Sequence, residues 1–241
     1  VAVTNGWREA LERLRAARAE QEAAEATADV IYAVVDGGVA VGQDAEPAAA
    51  SIIGDLSRRG GFRIYSLWVL FEIARCVGIW RRAHWLNDTP HVRAAIEHEA
   101  RVGRILATGL QAYASLMSDS EADVRSIACL LTGLCALEPV GAARLLAEHE
   151  RAEAHPLAKA CARQALLIAV ARVGPAEREP ALVALLREFV RSGTSEDRGR
   201  LRRVIEDHSG VGLSSAAREV LGDTVTGLCE PEGPFWQIEE L

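Results

Sequence analysis

The stretch "LMSDSEADVRSIACLLTGL", residues 116–134, decides how the chain is read. An acidic turn comes first, then a Val-Arg pair, then small and large apolar residues. Leu116 closes one helix, and Ser118 or Ser120 offers a hydroxyl to cap the next, with Glu121 or Asp123 three residues on. Val124, Ala128, Leu131 and Leu134 recur at helical spacing and form a stripe facing the preceding helix. Ala128 permits close approach, and the leucines fill the groove. Asp119 in the turn and Arg125 one turn into the second helix are placed to pair with neighbouring hairpins as a ladder. An exposed pair of that kind contributes about 0.5 kcal/mol, so it sets register more than stability.

Outward from this hairpin, helical periodicity dominates and strand alternation is rare. Downstream the pattern predicts helices over 121–137, 139–152, 156–173, 178–192, 196–208 and 214–227. Their turns are marked by Pro139, Pro156, Gly174-Pro175, Gly193 and Gly210. Upstream, one helical segment runs from about His91 to Met117, after a polar break at "LNDTP". "FRIYSLWVLFEIARCVGIW" is apolar nearly all round and is expected to be the most buried helix. "EPAAASIIGDLSRR" reads as a helix with Pro47 in its first turn, closed by Gly60 and Gly61. Trp7, Leu11 and Leu14 mark one face of an opening helix that continues through "RAARAEQEAAEA". Val30 to Val35 fits strand or helix, stopped by "DGG".

Helix pairs of similar length suggest a repeat. An offset of 34 residues lays Asp119 on Glu153, Arg125 on Lys159, Ala128 on Ala162 and Leu131 on Ala165. A third copy shows in outline near "ALLREFVRSGTSEDRGRLRRVI".

The order acidic turn, Val-Arg, then Ala three residues later resembles the HEAT repeat, in the short bacterial form named after phycobilisome lyase subunits. The match covers about 116–137, with an echo at 150–173; residues 1–90 match only in being helical. The resemblance implies a short right-handed α-solenoid whose second helices line a concave binding surface. It does not name the ligand, because such repeats serve scaffolds, lyases, immunity proteins and some DNA-repair enzymes.

Composition bounds the rest. At 241 residues and 49% hydrophobic, the chain can bury a core as one domain or one short array. The net charge of −7 disfavours general affinity for nucleic acid or anionic membrane. Of 27 basic residues only Lys159 is lysine, a bias expected of a GC-rich coding sequence. Val1 in place of Met fits a GUG start or a trimmed chain. Cys76, Cys129, Cys135, Cys161 and Cys229 form no CxxC pair, and four sit in apolar helical patterns, as expected of reduced core thiols in a cytoplasmic protein. Arg8, Glu9 and Glu12 interrupt any signal core, and no apolar run is long enough for a membrane span.

The most unusual local composition lies between Arg58 and Arg93. Seven arginines (Arg58, Arg59, Arg63, Arg75, Arg81, Arg82, Arg93) face only Glu72 and Asp88, a local charge of +5 that leaves −12 for the remainder. Trp68, Trp80 and Trp85 lie among them, with His84 and His91. These could form a pocket for an anionic or aromatic ligand, Arg supplying charge and Trp stacking. The plainer reading, which the pattern favours, puts Trp68 in the core, packs a corner with Trp80 and Trp85, and solvates the arginines. In an enzyme built here, His84 or Asp88 would carry the proton; in a HEAT-like DNA glycosylase, Trp80, Trp85 and Asp88 would flank the lesion.

His98-Glu99 and His149-Glu150 raise the question of metal. Deoxyhypusine hydroxylase, another HEAT-type protein, holds iron with four such pairs; here there are two, and "HERAEAH" lacks the HExxH spacing. Both pairs read as solvated helix surface, and no metal or cofactor is expected. "DGGVAVG" lacks the frame of a dinucleotide fingerprint, and no nucleophile motif or P-loop is present. "PFWQIEEL" at the end reads as a cap over the last hairpin or a docking segment.

The expectation is therefore all-α: one domain with divergent helices over 1–90, clearer hairpins over 91–227 and a tail over 228–241. The concave face is expected to hold a protein partner without catalysis. A small-molecule enzyme or ligand binder using 58–93 stands as the alternative.

Overall fold

Trp7, Ala10, Leu11 and Leu14 fall at i, i+3, i+4 and i+7, and that face is buried in helix α1 (Gly6–Ala16). The computed structural model describes residues 6–38, 40–56, 63–82 and 89–172. The expected long opening helix is broken: α2 (Glu20–Val34) starts anew and folds back on α1. Folding back gives α1 a packing partner in α2, whose Ala23, Ala26, Val30 and Val34 are all buried. A single straight helix would have left both faces in water. The Glu22 carboxylate accepts the Arg18 amide (2.9 Å) at the new helix start.

Val30 to Val34 is helix, and strand begins at the next residue. Strands β1 (Val35–Asp36) and β2 (Ala40–Val41) pair antiparallel, Val35 opposite Val41 and Asp36 opposite Ala40. Gly37 and Gly38 turn the chain at φ 58° and 76°, a region costly for other residues. Past β2, the Gly42 amide donates to Val34 O at 2.9 Å, so close that a Cβ on Gly42 would sit 2.8 Å from that oxygen.

Helix α3 (Ala45–Asp55) carries Pro47 in its first turn and ends at Asp55, short of the expected stop at Gly60-Gly61, which lies outside the described residues. α4 (Arg63–Cys76) buries Leu67, Cys76 and everything from Val69 to Ala74, but α8 buries more of its length. Gly78 at φ 88° ends α4, and a short α5 (Ile79–Arg82) follows. Thr89 caps α6 (Pro90–Thr108) by accepting the Val92 amide at 3.2 Å, with Pro90 in the first turn. The single helix expected over 91–117 breaks at Gly109, and α7 (Leu110–Leu116) continues after it. α8 (Ala122–Cys135) buries Val124, Ala128 and Leu131, with Leu134 half-buried.

The described residues fall into two compact units, the first ending at Cys135 and the second beginning at Ala136. In the first, α1 pairs with α2, α3 with α4 and α7 with α8 as hairpins. The second helices lie side by side, α2 on α4 and α4 on α8, and α3 lies against α6. In the second unit, α9 (Pro139–Ala152) packs on α10 (Pro156–Ala171). Glu138 caps α9 by accepting the Val140 and Gly141 amides (3.1 and 2.6 Å). Ala143, Leu146, Ala158, Ala162 and Ala165 form its described core. The described residues are mostly helical, as composition and periodicity required. None of their helices is long and apolar enough to cross a membrane. The helices expected over 178–227, and the tail, lie outside them.

Candidate binding surface

Tyr65, Trp68, Glu72 and Arg75 recur every three or four residues along α4, so they share one side of it. Tyr65, Trp68 and Arg75 are half-buried where the rest of the helix is mostly sealed. The Trp68 ring meets Phe71 at 5.8 Å, tilted by 45°. The Tyr65 hydroxyl donates to Glu20 at the start of α2 (3.2 Å). Burial, then the Glu20 charge, raises the Tyr65 phenol above its ordinary range and keeps it a donor.

The arginines of this helix are engaged. Arg63 meets the Asp119 carboxylate at 3.0 Å, and Arg75 donates through Nε to Glu72 at 2.6 Å. Arg75 also reaches Gly38 O in the β-turn (3.4 Å). Glu72 is buried at 8% exposure, a depth a carboxylate tolerates only with such a partner. Part of the +5 charge of this stretch is thus neutralised inside the fold. What remains on α4 is an aromatic, weakly charged face.

At the corner after α4, the carboxylate of Glu99 accepts both the Gly78 amide (3.0 Å) and the Trp80 amide (3.1 Å). Glu99 is 3% exposed, so reading His98-Glu99 as solvated surface is wrong for the glutamate. The signal was present in the sequence: Glu99 falls on the inner face of α6 with Val102 and Leu106, both buried. His98 donates through Nε2 to Gly42 O (2.9 Å), leaving Nδ1 to accept from Arg101 (3.4 Å). The second pair is also tied in. Glu150 accepts from Arg163 at 2.7 Å, and His149 faces Glu153 at 3.5 Å. Each is less than a fifth exposed at its side chain, so neither is open surface. Structural ties, not solvation, account for both dipeptides. Among the described residues no group of three His, Cys, Asp or Glu side chains could hold a metal.

Of the residues singled out from the sequence, Trp68 lies on the α4 face and Trp80 at the corner. Trp80 meets the His91 ring edge-on at 5.7 Å. Arg93 is exposed on α6. Arg81 and Arg82 belong to α5. Arg58, Arg59, His84, Trp85 and Asp88 lie outside the described residues.

The ladder residues divide. Asp119 accepts the Glu121 amide (3.0 Å), capping its own turn, while its other oxygen holds Arg63 on the neighbouring hairpin. Arg125 donates to the Asp119 and Ser120 carbonyls (2.9 and 3.1 Å), closing the turn from within. Glu153 accepts the His155 amide at 2.8 Å. Lys159 is half-buried on α10. Cys76, Cys129, Cys135 and Cys161 are buried and form no disulfide.

No family model, curated protein or solved structure matches the chain.

Proposed function

We propose that the chain is a non-enzymatic protein-binding module: a short right-handed solenoid of HEAT-like hairpins, gripping a partner on the concave face lined by its second helices. One observation carries this reading. α2, α4 and α8, each the second helix of its hairpin, pack side by side, the nearest-neighbour order a solenoid requires. The middle helix of that row presents Tyr65 and Trp68, the residue types that dominate binding energy at interfaces. Buried cysteines outside any disulfide suit a reducing, cytoplasmic setting.

The test uses the full chain as bait, followed by titration of any purified partner. Trp68→Gln with Tyr65→Ala should weaken Kd about 30-fold or more, on the scale of a hot-spot loss, while the circular dichroism spectrum stays native. Unchanged affinity for every partner recovered would remove α4 from the binding face and the proposal with it.

A second reading has one observation in its favour. Trp80 and His91 meet edge to face at the corner, with Arg93 exposed on the same helix as His91, a setting suited to a small anionic or aromatic ligand. Quenching of tryptophan emission by such ligands, lost in Trp80→Leu, would support it; a silent titration would dismiss it.

A further inference from the structure

The break between α6 and α7 has an unusual cause. Gly109 sits at φ −79° and ψ −6°, a conformation open to any L residue, so no backbone freedom special to glycine is used there. Space is what is used. A Cβ at Gly109 would overlap Cζ and Oη of Tyr113 and approach Cε1 to 2.9 Å. That ring has no room to yield, because Tyr113 is 0% exposed. Its hydroxyl donates to Leu106 O at 3.1 Å, the same carbonyl that the Gly109 amide reaches in a tightened i→i−3 turn.

We infer that Gly109 and Tyr113 form a two-residue lock that keeps α6 and α7 from running on as one straight helix. The chain carries its own control. The 34-residue offset that lays Asp119 on Glu153 puts Ala143 where Gly109 stands and Ala147 where Tyr113 stands. There α9 runs unbroken from Pro139 to Ala152. The break therefore accompanies the glycine–phenol pair, not the hairpin. Its consequence is positional. α7 lies against α8 and leads into the turn whose Asp119 holds Arg63 of α4, so the lock sets where that turn arrives.

Gly109→Ala, Tyr113→Leu and the double variant of the full chain, unfolded in urea, test this directly. In the native background Gly109→Ala should lower the folding constant roughly tenfold or more, the scale of overpacking a core. In the Tyr113→Leu background the same change should raise it by up to about fivefold, since Ala is the better helix former. The sign in that second background decides the matter even if the single Gly109→Ala variant does not fold. A loss in the Tyr113→Leu background, or a gain in the native one, overturns the lock. Nitroxides at the exposed positions Glu97 and Ser115 give a second readout. These sites are 18 residues apart (115 − 97), which a straight helix spans in about 27 Å. The double variant should approach that separation and the native chain fall short of it; equal distances in both would also overturn the lock.

Discussion

The α7–α8 and α9–α10 hairpins share a register and use it differently. At the turn of the first, Asp119 caps its own chain and reaches out to Arg63 on another hairpin. At the turn of the second, Glu153 caps its own chain and faces His149 of the helix before it. Capping is the common element, because every helix start leaves amides that need an acceptor. The outward contact is the variable one, and it depends on what the neighbour offers. In the core, Leu131 of α8 corresponds to Ala165 of α10, both 0% exposed, so the same buried position holds a large side chain in one hairpin and a small one in the other.

The sharpest way to break this comparison is at that core position. Leu131→Ala should cost about 3 kcal/mol in urea unfolding, because Leu131 is fully buried and its truncation leaves a cavity. A loss under about 1 kcal/mol would mean the two hairpins are packed alike. Next comes the turn. A double-mutant cycle of Arg63→Met with Asp119→Asn should return a coupling of about 2 kcal/mol, since Asp119 is largely buried and its partner charge-assisted. The cycle of His149→Leu with Glu153→Gln, across 3.5 Å, should return less than half of that. Equal couplings would erase the distinction between outward and inward turns.

A smaller effect belongs to the first hairpin alone. Burial pushes the Tyr113 phenol far above its ordinary range. The unfolded chain releases that proton near pH 10 while the folded chain keeps it. Stability present below about pH 10 is therefore lost as pH rises, at up to about 1.4 kcal/mol per unit. Tyr113→Phe should flatten that alkaline slope in denaturation measured from pH 9 to 11; an unchanged slope would place the phenol in water. Smallest of all is Arg13→Ala, which removes an exposed pair with Asp29 and should shift stability by less than about 0.5 kcal/mol.

How much of this was legible in the sequence follows the range of each interaction. The stripe Val124, Ala128, Leu131 was legible because its period is local, and so were the turns marked by Pro139 and Pro156, where α9 and α10 begin. The split between α1 and α2 was not. Ala, Arg and Glu are all good helix formers, and nothing in "RAARAEQ" marks a stop; only the need to cover Leu11 and Leu14 makes the chain turn. Nor was the break at Gly109 legible, since its cause stands four residues later in a ring that looks like any other core tyrosine. Among candidate site residues, the composition between Arg58 and Arg93 pointed to charge. Glu72 within that stretch and Glu99 and Asp119 beyond it alter that picture, the first two as buried acids and the third as the partner of Arg63. An acid on the same helix face as Val102 and Leu106 was the signal available for Glu99, and reading the pair as solvated surface passed over it.

The two short strands after α2 have one further consequence. With two residues each, β1 and β2 offer too brief an edge for another chain to extend, and a ribbon that small would fray by itself in water. Arg75 from α4 and His98 from α6 fasten its turn and its exit at Gly38 and Gly42. The Gly42 amide should therefore exchange with solvent as slowly as the helices around it, opening only when they do.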